Sequence, residues 1–357
     1  MKTIFTFSCR LLISLLIGWI SAGCSRSSTE ANPQGDCRIQ QYNAVSKSAL
    51  SNTSSQTTYE YDPQGNLTKT VATFTKQSTP ATNQQTSTTT VLYSYDTDGY
   101  LTKMNSQLVT ITTATGKITT EQIAMANSYS YTNGRLTSAS KRTVGAYGLN
   151  TTVSELYEYD GAGALATKTA QTHYDYDPAV THEIPGSPTG PLQIWTYQQN
   201  VLIDYVEKSG ALESRPITIQ NGLATSITIP GNYKVIWAYD NQQRQTKLAE
   251  YVGDTLTRTT TQTWGNAKPA SASLPAFKGF PNTIPTSEFG QSGVLATSNY
   301  LYWNSISKKM ETFSEQTTVS QTNEQGFATN VVSTVKHPLA VDQDYTTTET
   351  YTYSGCQ

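Results

Sequence analysis

Tyr59-Glu60-Tyr61-Asp62-Pro63-Gln64-Gly65-Asn66-Leu67 fits the pattern Y-x-Y-D-x-x-G-x-L. Two more stretches, Tyr93 to Leu101 (YSYDTDGYL) and Tyr157 to Leu165 (YEYDGAGAL), fit it at all five fixed positions. Three full matches mark an internal repeat, which is read before any other motif. The physics of each copy is a β-hairpin. Residues i and i+2 of a strand share a face, so Tyr59 with Tyr61, Tyr93 with Tyr95 and Tyr157 with Tyr159 project in pairs and can pack across a sheet. Asp62, Asp96 and Asp160 end their strands, where a carboxylate can accept bonds from amides about two residues on, while Gly65, Gly99 and Gly163 supply positive φ at no steric cost. Leu67, Leu101 and Leu165 open the return strands.

Weaker copies fill the intervals. Tyr129-Ser130-Tyr131-Thr132-Asn133-Gly134 is one residue shorter, with the Asn-Gly pair that a two-residue hairpin prefers. Trp237-Ala238-Tyr239-Asp240 has Gln243 in place of Gly, and Trp195-Thr196-Tyr197, Ile217-Thr218-Ile219 before Asn221-Gly222, Thr322 to Phe327 (TNEQGF) and Tyr351-Thr352-Tyr353 are more degenerate. From Tyr59 to Tyr93 is 34 residues and from Tyr93 to Tyr129 is 36, room for two strands of about ten residues, one tight turn and one longer loop. The expectation is an all-β, antiparallel meander of long hairpins, about 16 to 20 strands in a curled sheet or an open barrel-like shell. The Tyr-Asp turns should collect at one end and Ser/Thr/Pro-rich loops such as Lys76 to Gln84 at the other.

These motifs resemble the YD-repeat (Rhs-type) family, and more closely the YD-repeat lipoproteins of Bacteroidota that end in a tyrosine strand and a cysteine. The resemblance covers most of residues 37–356. It implies a repeat β shell and no particular activity; large members coil such strands around a toxin, a role for which this chain is short.

The N-terminal segment carries an address. Lys2 and Arg10 precede the apolar run Leu11 to Ile20, a charged region and hydrophobic core of signal-peptide size, too short to span a bilayer comfortably. Ser21-Ala22-Gly23-Cys24 resembles a lipobox, with Ser21 where Leu is usual. Residues 1–23 are therefore read as a lipoprotein signal, Cys24 as the lipidated cysteine, and 24–36 as a polar tether without periodicity. Acyl chains there imply a membrane anchor. The tether contains no acidic run, which favours the periplasmic face of the outer membrane over the cell surface.

Composition narrows the rest. Only 14% of residues are charged, net charge is −2, and runs such as Thr88 to Thr90 and Thr259 to Thr261 favour strand. No basic patch argues for nucleic acid. With Cys9 lost in the signal and Cys24 lipidated, Cys37 and Cys356 remain, and in an oxidising compartment they most simply form one disulfide tying the first strand to the last; two unpaired buried thiols are the alternative. One β domain over 37–357 follows, with Pro/Gly/Ser-rich insertions at 177–193 and 265–296. Loops this long are functional or disordered in most domains, and Phe277, Phe280, Ile284 and Phe289 make the second apolar enough to pack on the sheet.

Chemistry is sparse. His173, Asp175, Asp177, His182 and Glu183 form the one cluster with metal-ligand character, although Tyr174-Asp175-Tyr176-Asp177 also reads as a degenerate repeat turn. The repeat carboxylates invite comparison with glycosidase pairs, yet each has a turn to cap. There is no nucleophile elbow, phosphate-binding loop or dinucleotide fingerprint, and no cofactor is implied. The reading leans away from catalysis, towards a scaffold or binding module for an envelope protein or glycan; a glycan-active or metal-dependent enzyme and a carrier of a hydrophobic ligand are the alternatives.

Overall fold

The computed structural model describes residues 37–78, 83–114, 116–144, 149–176, 189–229, 231–281 and 293–356. The signal, Cys24 and the tether lie outside them, as do Asp177, His182, Glu183, Ile284 and Phe289.

Hairpin follows hairpin along the chain. The first half comprises β1 (Arg38–Ser48), β2 (Ser51–Tyr61), β3 (Leu67–Ser78), β4 (Asn83–Tyr95), β5 (Leu101–Ala114), β6 (Lys117–Thr132), β7 (Arg135–Val144), β8 (Leu149–Tyr159), β9 (Leu165–Tyr176) and β10 (Leu192–Gln198). Shorter strands continue with β11 (Val201–Ser209), β12 (Leu212–Ser214), β13 (Ile217–Gln220), β14 (Leu223–Ile229), β15 (Tyr233–Tyr239), β16 (Gln245–Val252) and β17 (Thr255–Trp264). The last are β18 (Leu295–Asn304), β19 (Lys309–Thr322), β20 (Ala328–Lys336) and β21 (Tyr345–Ser354).

All belong to one 21-stranded sheet. Successive strands pair antiparallel, as in Tyr59↔Thr70 and Tyr93↔Met104. β1 pairs with β2 and also with β21, from Arg38↔Ser354 to Lys47↔Thr346, so the sheet curls until its first and last strands meet. It is not a closed barrel: among the described residues β11 has a ladder with β12 but none with β13, which pairs with β14. Arg215-Pro216 separates β12 from β13. Proline has no N–H to give a ladder, and the Pro216 carbonyl instead accepts from the Thr228 amide at 2.8 Å. This split makes two strands of one position, which is why the count exceeds the range that spacing predicts.

Curling gives the sheet an inner and an outer face. On β6, Glu121, Ile123, Met125, Asn127, Tyr129 and Tyr131 are half-buried, while Gln122, Ala124, Ala126, Ser128, Ser130 and Thr132 between them are exposed. β2 shows exposed Asn52, Ser54, Gln56 and Glu60 against half-buried Thr57, Tyr59 and Tyr61. Both insertions prove shorter than expected, because Leu192 and Gln193 already belong to β10, and Leu295 and Ala296 to β18. Thr189 forms a bridge to His173.

Candidate binding surfaces of the sheet

Each repeat carboxylate caps its own turn. The amides of Asn66, Tyr100, Ala164 and Arg244 donate to Oδ1 of Asp62, Asp96, Asp160 and Asp240 at 2.8 to 2.9 Å. Asn323 does the same in the degenerate TNEQGF copy, accepting from the Phe327 amide at 2.9 Å. Burial pushes the Asp62 carboxyl up, but bonds from Asn66, Gln64 and Gly65 outweigh it and hold it below the usual range. Gly65 and Gly163 sit at φ of 88° and 87°, and a Cβ on either would collide with the guanidinium of Arg38 or Arg135. Those guanidiniums also lie over the rings of Tyr61 and Tyr159.

The second tyrosine of each repeat is a pin. The hydroxyls of Tyr61, Tyr95, Tyr131 and Tyr159 donate to the carbonyls of Ile39, Leu67, Leu101 and Leu136 at 2.8 to 2.9 Å. Tyr239 and Tyr353 reach Ala224 and Ala328 at 2.7 and 2.6 Å. Trp264 substitutes its indole, Nε1 donating to the Gln245 carbonyl at 2.7 Å. Ile39 lies near the start of β1, and every other acceptor opens, or lies at the start of, the return strand of the preceding hairpin. Beside these bonds Leu67, Leu101, Leu136 and Leu165 are buried. Burial pushes the Tyr159 hydroxyl up to about 12 and those of Tyr61, Tyr95 and Tyr131 higher.

The first tyrosine tier meets inner-face carboxylates that motif reading missed. Tyr157 donates to Glu155 Oε2 at 2.9 Å, and Lys141 and Lys168 hold that carboxylate at 3.0 and 2.9 Å. Burial raises the Glu155 carboxyl, but the two lysines outweigh it and bring it to about 2. Lys168 also sits 4.8 Å from the Trp195 ring centre. Across the β1–β21 seam, Tyr42 and Tyr351 both donate to Glu349, at 3.2 and 2.8 Å. The available signal was E-x-Y-x-Y, present as Glu155-Leu156-Tyr157-Glu158-Tyr159 and Glu349-Thr350-Tyr351-Thr352-Tyr353.

The described part of the second insertion plugs the turn end. Leu274, Phe277 and Phe280 pack against the core of Leu67, Val91, Tyr93 and Leu101, with Phe280 5.3 Å from Tyr129 and Phe277 6.0 Å from Tyr93 between ring centres. Backbone bonds fix it: the Leu136 amide donates to the Gly279 carbonyl at 2.9 Å and the Lys268 amide to the Gly326 carbonyl at 2.8 Å. Between plug and turns lies a cleft of about 310 Å³ lined by Tyr95, Phe277, Gln64, Asn66, Asp98 and Lys278 among others. Its mix of two rings with amide, carboxylate and ammonium groups is suited to a small polar ligand.

The opposite end is built differently. Exposed aliphatic side chains stand at or within two residues of its hairpin tips: Leu50 between β1 and β2, Ile118 at the β5–β6 turn, and Val144 at the end of β7. Leu212, Ile229 and Val252 do so for the hairpins that follow, and Ile306, Leu339 and Val341 for the last two.

The remaining expectations divide. The Cys37–Cys356 disulfide is present, with Cα atoms 4.3 Å apart across 319 residues. His173 and Asp175 lie two apart near the tip end of β9, so Tyr174 to Tyr176 are at the end opposite the repeat turns. Among the described residues no group of three His, Cys, Asp or Glu side chains could hold a metal ion, and no helix is long and apolar enough to cross a membrane. No family model and no curated protein matches the chain. A solved structure, a porin-like protein from Bacteroides uniformis, is similar at 15% identity and a TM-score of 0.34, covering 88% of this chain and 96% of that one. A likeness that low adds nothing to the fold described above.

Proposed function

We propose that this chain is a non-catalytic envelope lipoprotein, anchored through Cys24 to the periplasmic face of the outer membrane, whose repeat sheet is a binding module for a protein or glycan partner. The observation that carries the reading is the employment of the repeat's chemistry in folding: Asp62, Asp96, Asp160 and Asp240 are engaged by their own turns, and the second tyrosines by neighbouring carbonyls. Groups so committed are poor general acids, bases or nucleophiles, since a candidate must reach a substrate proton. The resemblance to YD-repeat lipoproteins points the same way. The outer face adds a second argument: a strand crossing a bilayer turns apolar residues outward, whereas β2 and β6 turn out Asn, Ser, Gln, Ala, Thr and Glu, which suits a sheet held at the membrane by lipid. The glycan arm is favoured by the cleft beside Tyr95 and Phe277, where rings can stack on a sugar and Gln64, Asn66 and Asp98 can meet its hydroxyls.

The test is affinity capture of the tagged, acylated chain from cross-linked membranes of its host, with envelope polysaccharides analysed in parallel. A dominant protein, or a glycan whose retention is lost on Phe277→Ala, supports the module. Turnover of an envelope polymer that disappears on substituting one carboxylate or histidine sinks it.

A further inference from the structure

Four adjacent hairpin tips each carry an exposed cation with no carboxylate beside it in the sequence. Lys47, Lys76, Lys117 and Arg142 stand exposed within three residues of the tips joining β1 to β2, β3 to β4, β5 to β6 and β7 to β8. None takes part in an ion pair among the described residues, and no Asp or Glu lies within three residues of any of these tips in the sequence. Between β9 and β10 the sequence instead carries Asp177 and Glu183. Along the basic tips, Leu50, Ile118 and Val144 are 50%, 68% and 42% exposed. A row of aliphatic side chains in water costs free energy that burial recovers, about 25 cal/mol per Å². Scattered apolar residues mean little, but a rim of them, each with a neighbouring cation, is the arrangement of interfacial membrane contacts: apolar tips enter the headgroup and acyl boundary, and lysines and arginines meet anionic headgroups.

We infer that the β1–β8 arc of this rim docks on an anionic lipid surface. The inference goes beyond the binding-module reading and rests on it only for the anchor at Cys24. Residues 24–36 join the sheet at Cys37, at the turn end; thirteen residues extend to about 45 Å, and eleven-residue strands such as β1 and β2 are about 37 Å long. A chain lying along the sheet therefore reaches the membrane that the rim contacts, and anchor and rim can share one leaflet.

The acylated chain is reconstituted in vesicles of phosphatidylglycerol and phosphatidylethanolamine, carrying one environment-sensitive fluorophore at Ile118→Cys on the rim or at Ala162→Cys, exposed at the turn end. The rim label shifts to the blue and is quenched by lipids with a quencher high on the acyl chain, while the turn-end label stays aqueous. At about 1 kcal/mol per basic residue near an anionic surface, Arg142→Glu reduces the inserted-to-free ratio at least about fivefold. Equal behaviour of the two labels, or equal insertion into neutral phosphatidylcholine vesicles, overturns the inference. A blue shift that appears without vesicles and grows with protein concentration assigns the rim to a second copy and overturns it as well. Flotation of the unlabelled acylated chain reports on the anchor independently.

Discussion

The two ends of the sheet solve the same hairpin problem in opposite ways. At the turn end, an Asp or Asn caps each full repeat turn, a phenol or indole donates to the preceding hairpin, and the Gly265–Pro281 stretch fills the space between with Leu274, Phe277 and Phe280. At the tip end, aliphatic side chains face water and single cations stand beside them. One chain with one repeat has therefore placed its folding determinants where the turns are and left the other rim to chemistry that folding does not require. Local stability is uneven in proteins, and regions that meet partners come from the less committed end of the range.

The largest effect that can break this contrast is at the seam. Cys37 and Cys356 tie β1 to β21 at the turn end, and closing so long a loop contributes about 5 kcal/mol as an upper figure on the chain-entropy model. Cys356→Ser should lower the thermal midpoint, and reductant should do the same to the wild type but nothing further to the variant. An unchanged midpoint would mean that the β1–β21 ladder alone holds the seam.

Acid reaches a different part of the turn-end half. Glu155 has a folded value of about 2 against an ordinary 4.5, because the attraction of Lys168 and Lys141 exceeds the burial cost. A depressed carboxylate contributes stability that is present above about pH 4.5 and is lost as pH falls from there towards 2, here of the order of 3 kcal/mol. Denaturant melts across that window should show the loss, and Glu155→Gln should flatten it. An identical acid limb in the variant would assign the loss to other groups. The alkaline limb runs the other way: burial holds the tyrosine hydroxyls protonated, so their contribution is complete below pH 10 and disappears as pH rises through 12 and above.

How far the sequence foretold these two ends follows from what each is made of. Tyr59, Tyr61, Asp62, Gly65 and Leu67 repeat at fixed spacing because turn geometry and the two-residue period of a strand demand it, so the hairpins and their shared end were legible. The disulfide was legible from counting cysteines. Glu155 and Glu349 were not, since a glutamate two residues before a tyrosine pair has no turn to make; the register of β7 and β9 on β8 brings Lys141 and Lys168 to one of them, and curling brings Tyr42 across the seam to the other. The plug was legible as apolar, through Phe277 and Phe280, but its seat depends on a backbone bond from Leu136 to its Gly279, between segments more than a hundred residues apart.

A single pin tests the mechanism at higher resolution. Tyr95→Phe keeps the ring that packs near Leu67 and Phe277 but removes the hydroxyl that donates to the Leu67 carbonyl at 2.9 Å. Leaving that carbonyl without its partner costs about 1 to 2 kcal/mol, read as a shift in the urea midpoint. An equal loss with Tyr95→Phe and with a solvent-facing control on the same strand, Ser94→Ala, would show that the hydroxyl does not act as a pin.

The smallest effect is also the most discriminating. Ile118→Ser removes an exposed aliphatic from the β5–β6 tip, and because the side chain buries little in the folded chain, stability should stay within about 0.5 kcal/mol of wild type. A loss of several kcal/mol would mean that the rim supports the sheet much as Leu101 does at the turn end, and the division between a folding end and a contact end would fail. Unchanged urea and thermal midpoints, together with reduced insertion of a rim label placed at Val144→Cys, would separate the two roles: a residue that the fold does not need is then one that the surface uses.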